Sequence, residues 1–183
     1  MNRKLYIIAG PNGSGKTTLA KELIKEENIT FLNADEIAEK LKDDIGLSAG
    51  RALLSKLEIC LKNKESVVLE STISGSYHER VIERAKKEKY EIIFVYVFLA
   101  SVEQNLARIK QRVKLGGHNV PELDVRRRYK RSLHNFWKVK QCANQWELYY
   151  NGENSYELVA RGCDDVLEIM DEALYNTFKK EAK

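Results

Sequence analysis

The run Gly10-Pro11-Asn12-Gly13-Ser14-Gly15-Lys16-Thr17-Thr18 constrains this chain more than any other stretch. It fits G-x-x-x-x-G-K-[ST], with Gly10, Gly15, Lys16 and Thr17 at the fixed positions. Its flanks matter as much as its letters. Leu5-Tyr6-Ile7-Ile8-Ala9 is a short apolar run that predicts a buried strand. Leu19, Ala20, Leu23 and Ile24 then recur at helical spacing. Strand, glycine-rich loop and helix together make a phosphate-binding loop, because backbone N–H groups converge on anionic oxygens at a helix N-terminus. Residues Gly10 to Thr18 are therefore read as the site of a nucleoside triphosphate, ATP or GTP. Lys16 reaches the β- and γ-phosphates, and the Thr17 hydroxyl is positioned to ligate Mg²⁺.

A fold built on such a unit needs more strands and helices, and the chain has room for them. Its 183 residues predict one domain with a single large core. With 43% hydrophobic and 32% charged residues it belongs to the soluble globular class. A net charge of +4 suits an anionic small substrate but is too weak to argue for nucleic acid. Cys60, Cys142 and Cys163 show no metal-ligand spacing and read as free thiols of a reducing, cytoplasmic compartment. No stretch approaches membrane-spanning length, and the first apolar run is too short for a signal peptide or anchor.

Further strands are expected at 29–33, 66–70, 91–99 and 146–150, with a returning strand at 156–160. The near-continuous apolarity of 91–99 marks a central parallel strand. Helices are expected at 34–41, 48–64, 77–89, 102–113, 124–140 and 165–180. The predicted fold is a three-layer α/β P-loop kinase arrangement. Its sheet has five mostly parallel strands, helices on both faces and an antiparallel edge strand.

Two carboxylates stand at predicted strand tips, the edge where ligands bind in open α/β sheets. Asp35 follows the second strand and starts a helix, so capping and functional readings both fit its position. Glu70, in Glu70-Ser71-Thr72, follows apolar residues as a Walker-B-like acid does, and the upstream P-loop favours a role near Mg²⁺. Downstream, Leu115-Gly116-Gly117-His118-Asn119-Val120-Pro121 breaks one helix before another begins. On the second of these helices Val125, Tyr129, Leu133 and Phe136 form the apolar stripe. Steps of 100° put Arg128, Ser132 and Asn135 at its border, and Arg127, Arg131 and Lys138 away from it. A glycine-rich loop between arginine-bearing helices is what a lid over phosphates requires, and residues 108–135 are assigned to it.

With these residues in place, the chain resembles the zeta-toxin family of P-loop kinases, in its short single-domain branch. The resemblance rests on the P-loop, Asn33-Ala34-Asp35, Glu70-Ser71-Thr72 and the segment Arg112 to Pro121 with the arginine helix after it. It implies ATP/Mg²⁺-dependent phosphorylation of a hydroxyl on a small molecule. Studied members act on UDP-N-acetylglucosamine and are held off by a protein antitoxin. By matching position, Asp35 would orient or deprotonate the acceptor hydroxyl. Thr17 and Glu70 would hold the metal. Arg112 and Arg128 would meet the phosphates, with Arg108 as a further candidate. Glu70, Ser71, Thr72 and His118 would join Asp35 in contacting substrate. This chain is too short for the extra helices of longer members, which help form the sugar-nucleotide site. Two alternatives remain: a polynucleotide 5′-hydroxyl kinase, and a non-enzymatic nucleotide-binding module of a toxin–antitoxin pair. The lack of an aromatic-rich basic platform counts against nucleic acid.

Overall fold

Apolar runs without alternation make strands that must be covered on both faces. In β1 (Lys4–Ala9), β3 (Val67–Ser71) and β4 (Glu91–Phe98) burial is nearly continuous. A computed structural model describes residues 3–24, 29–33, 36–37, 47–152, 155–163 and 166–182. In it these strands join β2 (Thr30–Asn33) and β5 (Gln145–Asn151) as five parallel neighbours in the order β2-β3-β1-β4-β5. Successive side chains point to opposite faces. Thus Ile8 and Val68 meet Ala20 of α1 (Lys16–Ile24) on one face. On the other, Leu5, Ile7 and Leu69 pack with α2 (Leu47–Lys62), α3 (His78–Lys87), α5 (Glu122–Cys142) and α6 (Glu172–Glu181). The remaining helix, α4 (Val102–Lys114), packs on α5 through Leu106, Ile109, Val120 and Val125. Ser101 caps α4: its hydroxyl accepts from the Gln104 N–H, and the Gln104 side-chain Oε1 accepts from the Ala100 N–H.

The α/β class and the parallel core agree with the sequence expectation, but the described residues form seven strands rather than five. The sheet continues through β6 (Tyr156–Cys163), the returning strand expected at 156–160, and β7 (Val166–Ile169), both antiparallel. Strand β7 replaces the first part of the helix expected from Asp165 to Lys180, the rest of which forms as α6. Leu167, Met170, Leu174 and Phe178 recur at helical spacing, which hides the strand. Helix α6 starts only at Asp171, whose carboxylate accepts from the Leu174 N–H at 2.8 Å and resets the backbone. Val113 also leaves its expected apolar stripe and is exposed at the end of α4. The helix expected at 34–41 falls largely outside the described residues, of which Glu36 and Ile37 are helical.

Phe94, Tyr96 and Phe98 alternate along β4 and so share one face. They meet Phe136 of α5 and Phe178 of α6 in edge-on and tilted pairs, with centroids 4.8–6.0 Å apart. This aromatic base anchors α5 and thereby the arginine face that looks toward the cleft. No helix among the described residues is long and apolar enough to cross a membrane.

Candidate active site

The carboxyl ends of β1, β2, β3 and β5 surround a cleft of about 440 Å³, floored by the P-loop. Gly15 has φ +97°, and a Cβ there would run into the Asn151 amide and the Tyr156 hydroxyl. Gly10 has φ +145° and packs against the Val97 carbonyl. Glycine alone satisfies both conditions, of dihedral and of space. Lys16 is buried and donates from Nζ to the Pro11 carbonyl at 2.9 Å, so its ammonium lies along the loop.

Register explains the acid next to it. Asn33 is paired with Glu70 across β2 and β3, and Ile8 with Glu70 across β1 and β3. Asn33 accepts from the Glu36 N–H, leaving its amide nitrogen to donate to Glu70 Oε2 at 2.6 Å. Thr17 Oγ1 donates to Glu70 Oε1 at 2.9 Å. A carboxylate only 7% exposed is thus held by two donors and aimed at the first turn of α1.

Beyond Glu70 the chain turns through Ile73, whose φ of +44° is costly for a β-branched residue. Its side chain is fully buried, which offsets that strain. Ser71 Oγ is the hub of the turn. It accepts from the Ile73 N–H and shares hydrogen bonds with Tyr77 Oη at 3.1 Å and His78 Nε2 at 2.8 Å. Burial drives the His78 pKa down to about 4, so the ring is neutral at physiological pH. From α5, Asn135 Nδ2 donates to the Ile73 and Gly75 carbonyls and fixes the turn. Thr72 and Ser74 share a hydrogen bond on the cleft side.

The arginines divide by environment. Arg128 lines the cleft and has no hydrogen-bond or ion-pair partner among the described residues. Arg112 also lines it, donating to the His118 carbonyl at 2.8 Å while its buried Nε has no partner among the described residues. Arg108 borders the cleft but spends its guanidinium on the Asn151 and Gly152 carbonyls. Arg126 pairs with Glu103 and Glu122, and Arg127 with Asp124, on exposed surface.

The structure therefore brings Asn12, Gly13, Gly15, Lys16, Thr17, Thr18, Glu70, Ser71, Thr72, Arg112 and Arg128 to one cavity. Gly10, Pro11 and Ser14 complete the loop beneath it. His118 is exposed and stands outside the cleft lining, contributing its carbonyl to Arg112. Asp35 lies outside the described residues. Sequence reasoning missed Tyr77, His78, Asn105, Asn151 and Tyr156. Among them, only a polar residue interrupting the apolar face of α4, Asn105, left a usable trace in the pattern. Thr17 and Glu70 form an all-oxygen donor pair, the hard-ligand chemistry that suits Mg²⁺. Among the described residues no group of three or more His, Cys, Asp or Glu side chains could hold a metal. Mg²⁺ needs none, since water and phosphate oxygens fill most of its shell.

An AAA domain family model matches residues 5–134, and the chain belongs to that family. An uncharacterized protein of Haemophilus influenzae is 32% identical over 133 residues, covering 70% of this chain and 94% of that protein. The cytidylate kinase of Ignicoccus hospitalis is 42% identical over 61 residues, 33% of each chain. Among solved structures, the AvrRxo1-ORF1:AvrRxo1-ORF2 complex with ATP superposes with TM-score 0.76 at 18% identity. The match covers all of this chain but spans only 64% of that one. The PezAT chromosomal toxin–antitoxin system of Streptococcus pneumoniae gives TM-score 0.64 at 11% identity, over 98% of this chain and 86% of that one. The shared fold is a mixed α/β sheet with helices on both faces and antiparallel edge strands.

Proposed function

We propose that this AAA-domain protein is a zeta-toxin-like kinase that moves the γ-phosphate of ATP to a hydroxyl of a small molecule. One observation carries the reading. A P-loop lysine, a Thr17–Glu70 oxygen pair and two arginines with donors unpaired among the described residues line a single cleft, with a second polar wall opposite the loop. The floor receives the donor phosphates, and the Thr72–Tyr77 wall leaves room for an acceptor. Phosphoryl transfer asks the protein mainly for positioning and charge stabilisation. Lys16 and the loop N–H groups neutralise the β- and γ-oxygens. Arg128 and Arg112, carried on the lid-side segment 108–135, stabilise the group in flight. Mg²⁺, held by Thr17 and Glu70, would supply further charge neutralisation of the phosphates. Asp35, at the tip of β2 in sequence, is assigned as the residue that orients the attacking hydroxyl.

A UDP-sugar such as UDP-N-acetylglucosamine is the first acceptor to test, and a protein antitoxin the first partner. Polynucleotide substrates are disfavoured because Arg126 and Arg127 are already paired with acids. The test incubates the protein with γ-labelled ATP, Mg²⁺ and a panel of UDP-sugars, nucleosides and RNA 5′ ends. Label on a small-molecule hydroxyl is the expected result. Label released only to water would overturn the kinase reading, and label on RNA ends would replace the acceptor class.

A further inference from the structure

The P-loop is held from outside by side chains whose contacts concentrate on one type of atom. Asn105 Nδ2 of α4 donates to the Asn12 carbonyl at 2.8 Å. Asn151 Nδ2, at the end of β5, donates to the Ser14 carbonyl at 2.8 Å. Tyr156 Oη, at the start of β6, donates to the Gly15 carbonyl at 2.8 Å. With Lys16 on the Pro11 carbonyl, four of the loop's carbonyls from Pro11 to Gly15 have donors. A peptide plane is rigid, so fixing a carbonyl outward turns the N–H on its far side inward. With the Asn12, Ser14 and Gly15 carbonyls tied down, the Gly13, Gly15 and Lys16 N–H groups of the same peptide planes are presented to an anion without rearrangement, while the Ser14 N–H is taken by the Pro11 carbonyl at 3.2 Å.

The end of β5, which carries Asn151, is itself anchored. Arg108 donates to the Asn151 carbonyl at 2.9 Å and the Gly152 carbonyl at 2.8 Å. The two clamps also occupy the space that a Cβ on Gly15 would need. Burial pushes the Tyr156 phenol up from its ordinary pKa, so it remains protonated and able to donate.

We infer that Asn105, Asn151 and Tyr156 are positioning residues that preorganise the P-loop for polyphosphate by tying its carbonyls outward, with Arg108 holding the end of β5 that supplies one of them. This rests on the phosphate-site reading above but not on any acceptor.

The test uses the full chain with two probes, inorganic tripolyphosphate and ATP, in Tyr156→Phe, Asn105→Ala and Asn151→Ala. Tyr156→Phe keeps the ring and removes only the hydroxyl. Losing one such bond should weaken both probes by the same factor, about three- to tenfold, from the net worth of a hydrogen bond. The melting temperature without ligand should stay near that of the parent in Tyr156→Phe and fall by a few degrees in Asn105→Ala, whose side chain is fully buried. Tyr149→Phe is the control, since that hydroxyl bonds Glu147 on the same strand and should change neither probe. Three results would overturn the inference. One is unchanged tripolyphosphate affinity in all three variants. Another is a loss confined to ATP, which would make these side chains a nucleoside contact. The third is a fall in melting temperature with affinity intact, which would make the bonds structural only. If Lys16→Ala bound tripolyphosphate as well as the parent, the phosphate-site reading itself would fall, and this inference with it.

Discussion

The cleft wall and the aromatic base of the sheet are both buried, but by opposite means. The base is Phe94, Tyr96, Phe98, Phe136 and Phe178, apolar surface stacked on apolar surface with one internal hydroxyl pair. The wall is Lys16, Asn33, Glu70, Ser71 and His78, polar groups kept out of water and tied to one another or to the backbone. The wall side also holds Ile73, whose positive φ is unfavourable for a β-branched side chain. Variants in the two regions should therefore fail in different observables.

The largest effect belongs to the base. Phe178→Ala removes a fully buried ring that touches Tyr96, Phe98 and Phe136. It should cost about 3–5 kcal/mol of folding free energy, read by denaturant titration. ATP affinity of the folded fraction should not move. A tenfold loss of affinity there would break the division. At the wall, Glu70→Gln should do the reverse. Replacing the carboxylate between Thr17 and Asn33 should cut turnover by about 10²–10³-fold, the scale of one lost electrostatic contact. Its unfolding midpoint should stay close to the parent's. A collapse in stability without a change in turnover would return Glu70 to a purely structural role.

His78 makes the wall sensitive to acid where the base is not. The unfolded chain takes up a proton on this ring near its ordinary 6.5, the folded chain only near 4. Between those values the unfolded chain binds more protons, so stability falls as pH drops and is unaffected above about 7. The full loss is on the order of 3 kcal/mol, reached below pH 4. His78→Gln keeps a polar contact to Ser71 and does not titrate, so its stability should decline less between pH 6.5 and 4. Parallel curves for parent and variant would show that the acid sensitivity lies elsewhere.

Which parts were legible in the sequence follows from the same division. The P-loop, the parallel strands and the stripe Val125, Tyr129, Leu133, Phe136 announce themselves through local pattern. So does the neighbouring face. The 100° rotation that set Arg128, Ser132 and Asn135 beside the stripe agrees with their contacts. Strand β7 was not legible, because its apolar residues continue the spacing of α6 and only Asp171 marks the break. The clamps on the P-loop were not legible either. Asn151 and Tyr156 reach Ser14 and Gly15 across 137 and 141 residues, and no local period encodes a contact that depends on how β5 ends beside β4. His78 reads as an ordinary first-turn residue of α3 until the turn after β3 is seen to fold over it.

The smallest effect tests the base from within, at its hydroxyl pair. Tyr96 Oη and Ser132 Oγ share a 2.8 Å hydrogen bond inside the aromatic cluster, and both residues are fully buried. Removing one partner leaves a buried hydroxyl without its bond, so Ser132→Ala should cost about 1–3 kcal/mol. Tyr96→Phe should cost less, about 1 kcal/mol, because a helical serine can turn its hydroxyl to the carbonyl one turn back. If the base works by apolar burial alone, the double variant should return to within about 0.5 kcal/mol of the parent, well short of the sum. Ser132 lies one turn from Arg128 on α5, so turnover of the double variant carries a second piece of information. Unchanged turnover would mean that packing of Val125, Tyr129, Leu133 and Phe136 seats the arginine face without help. Lost turnover at restored stability would make this hydroxyl pair an outpost of the wall inside the base.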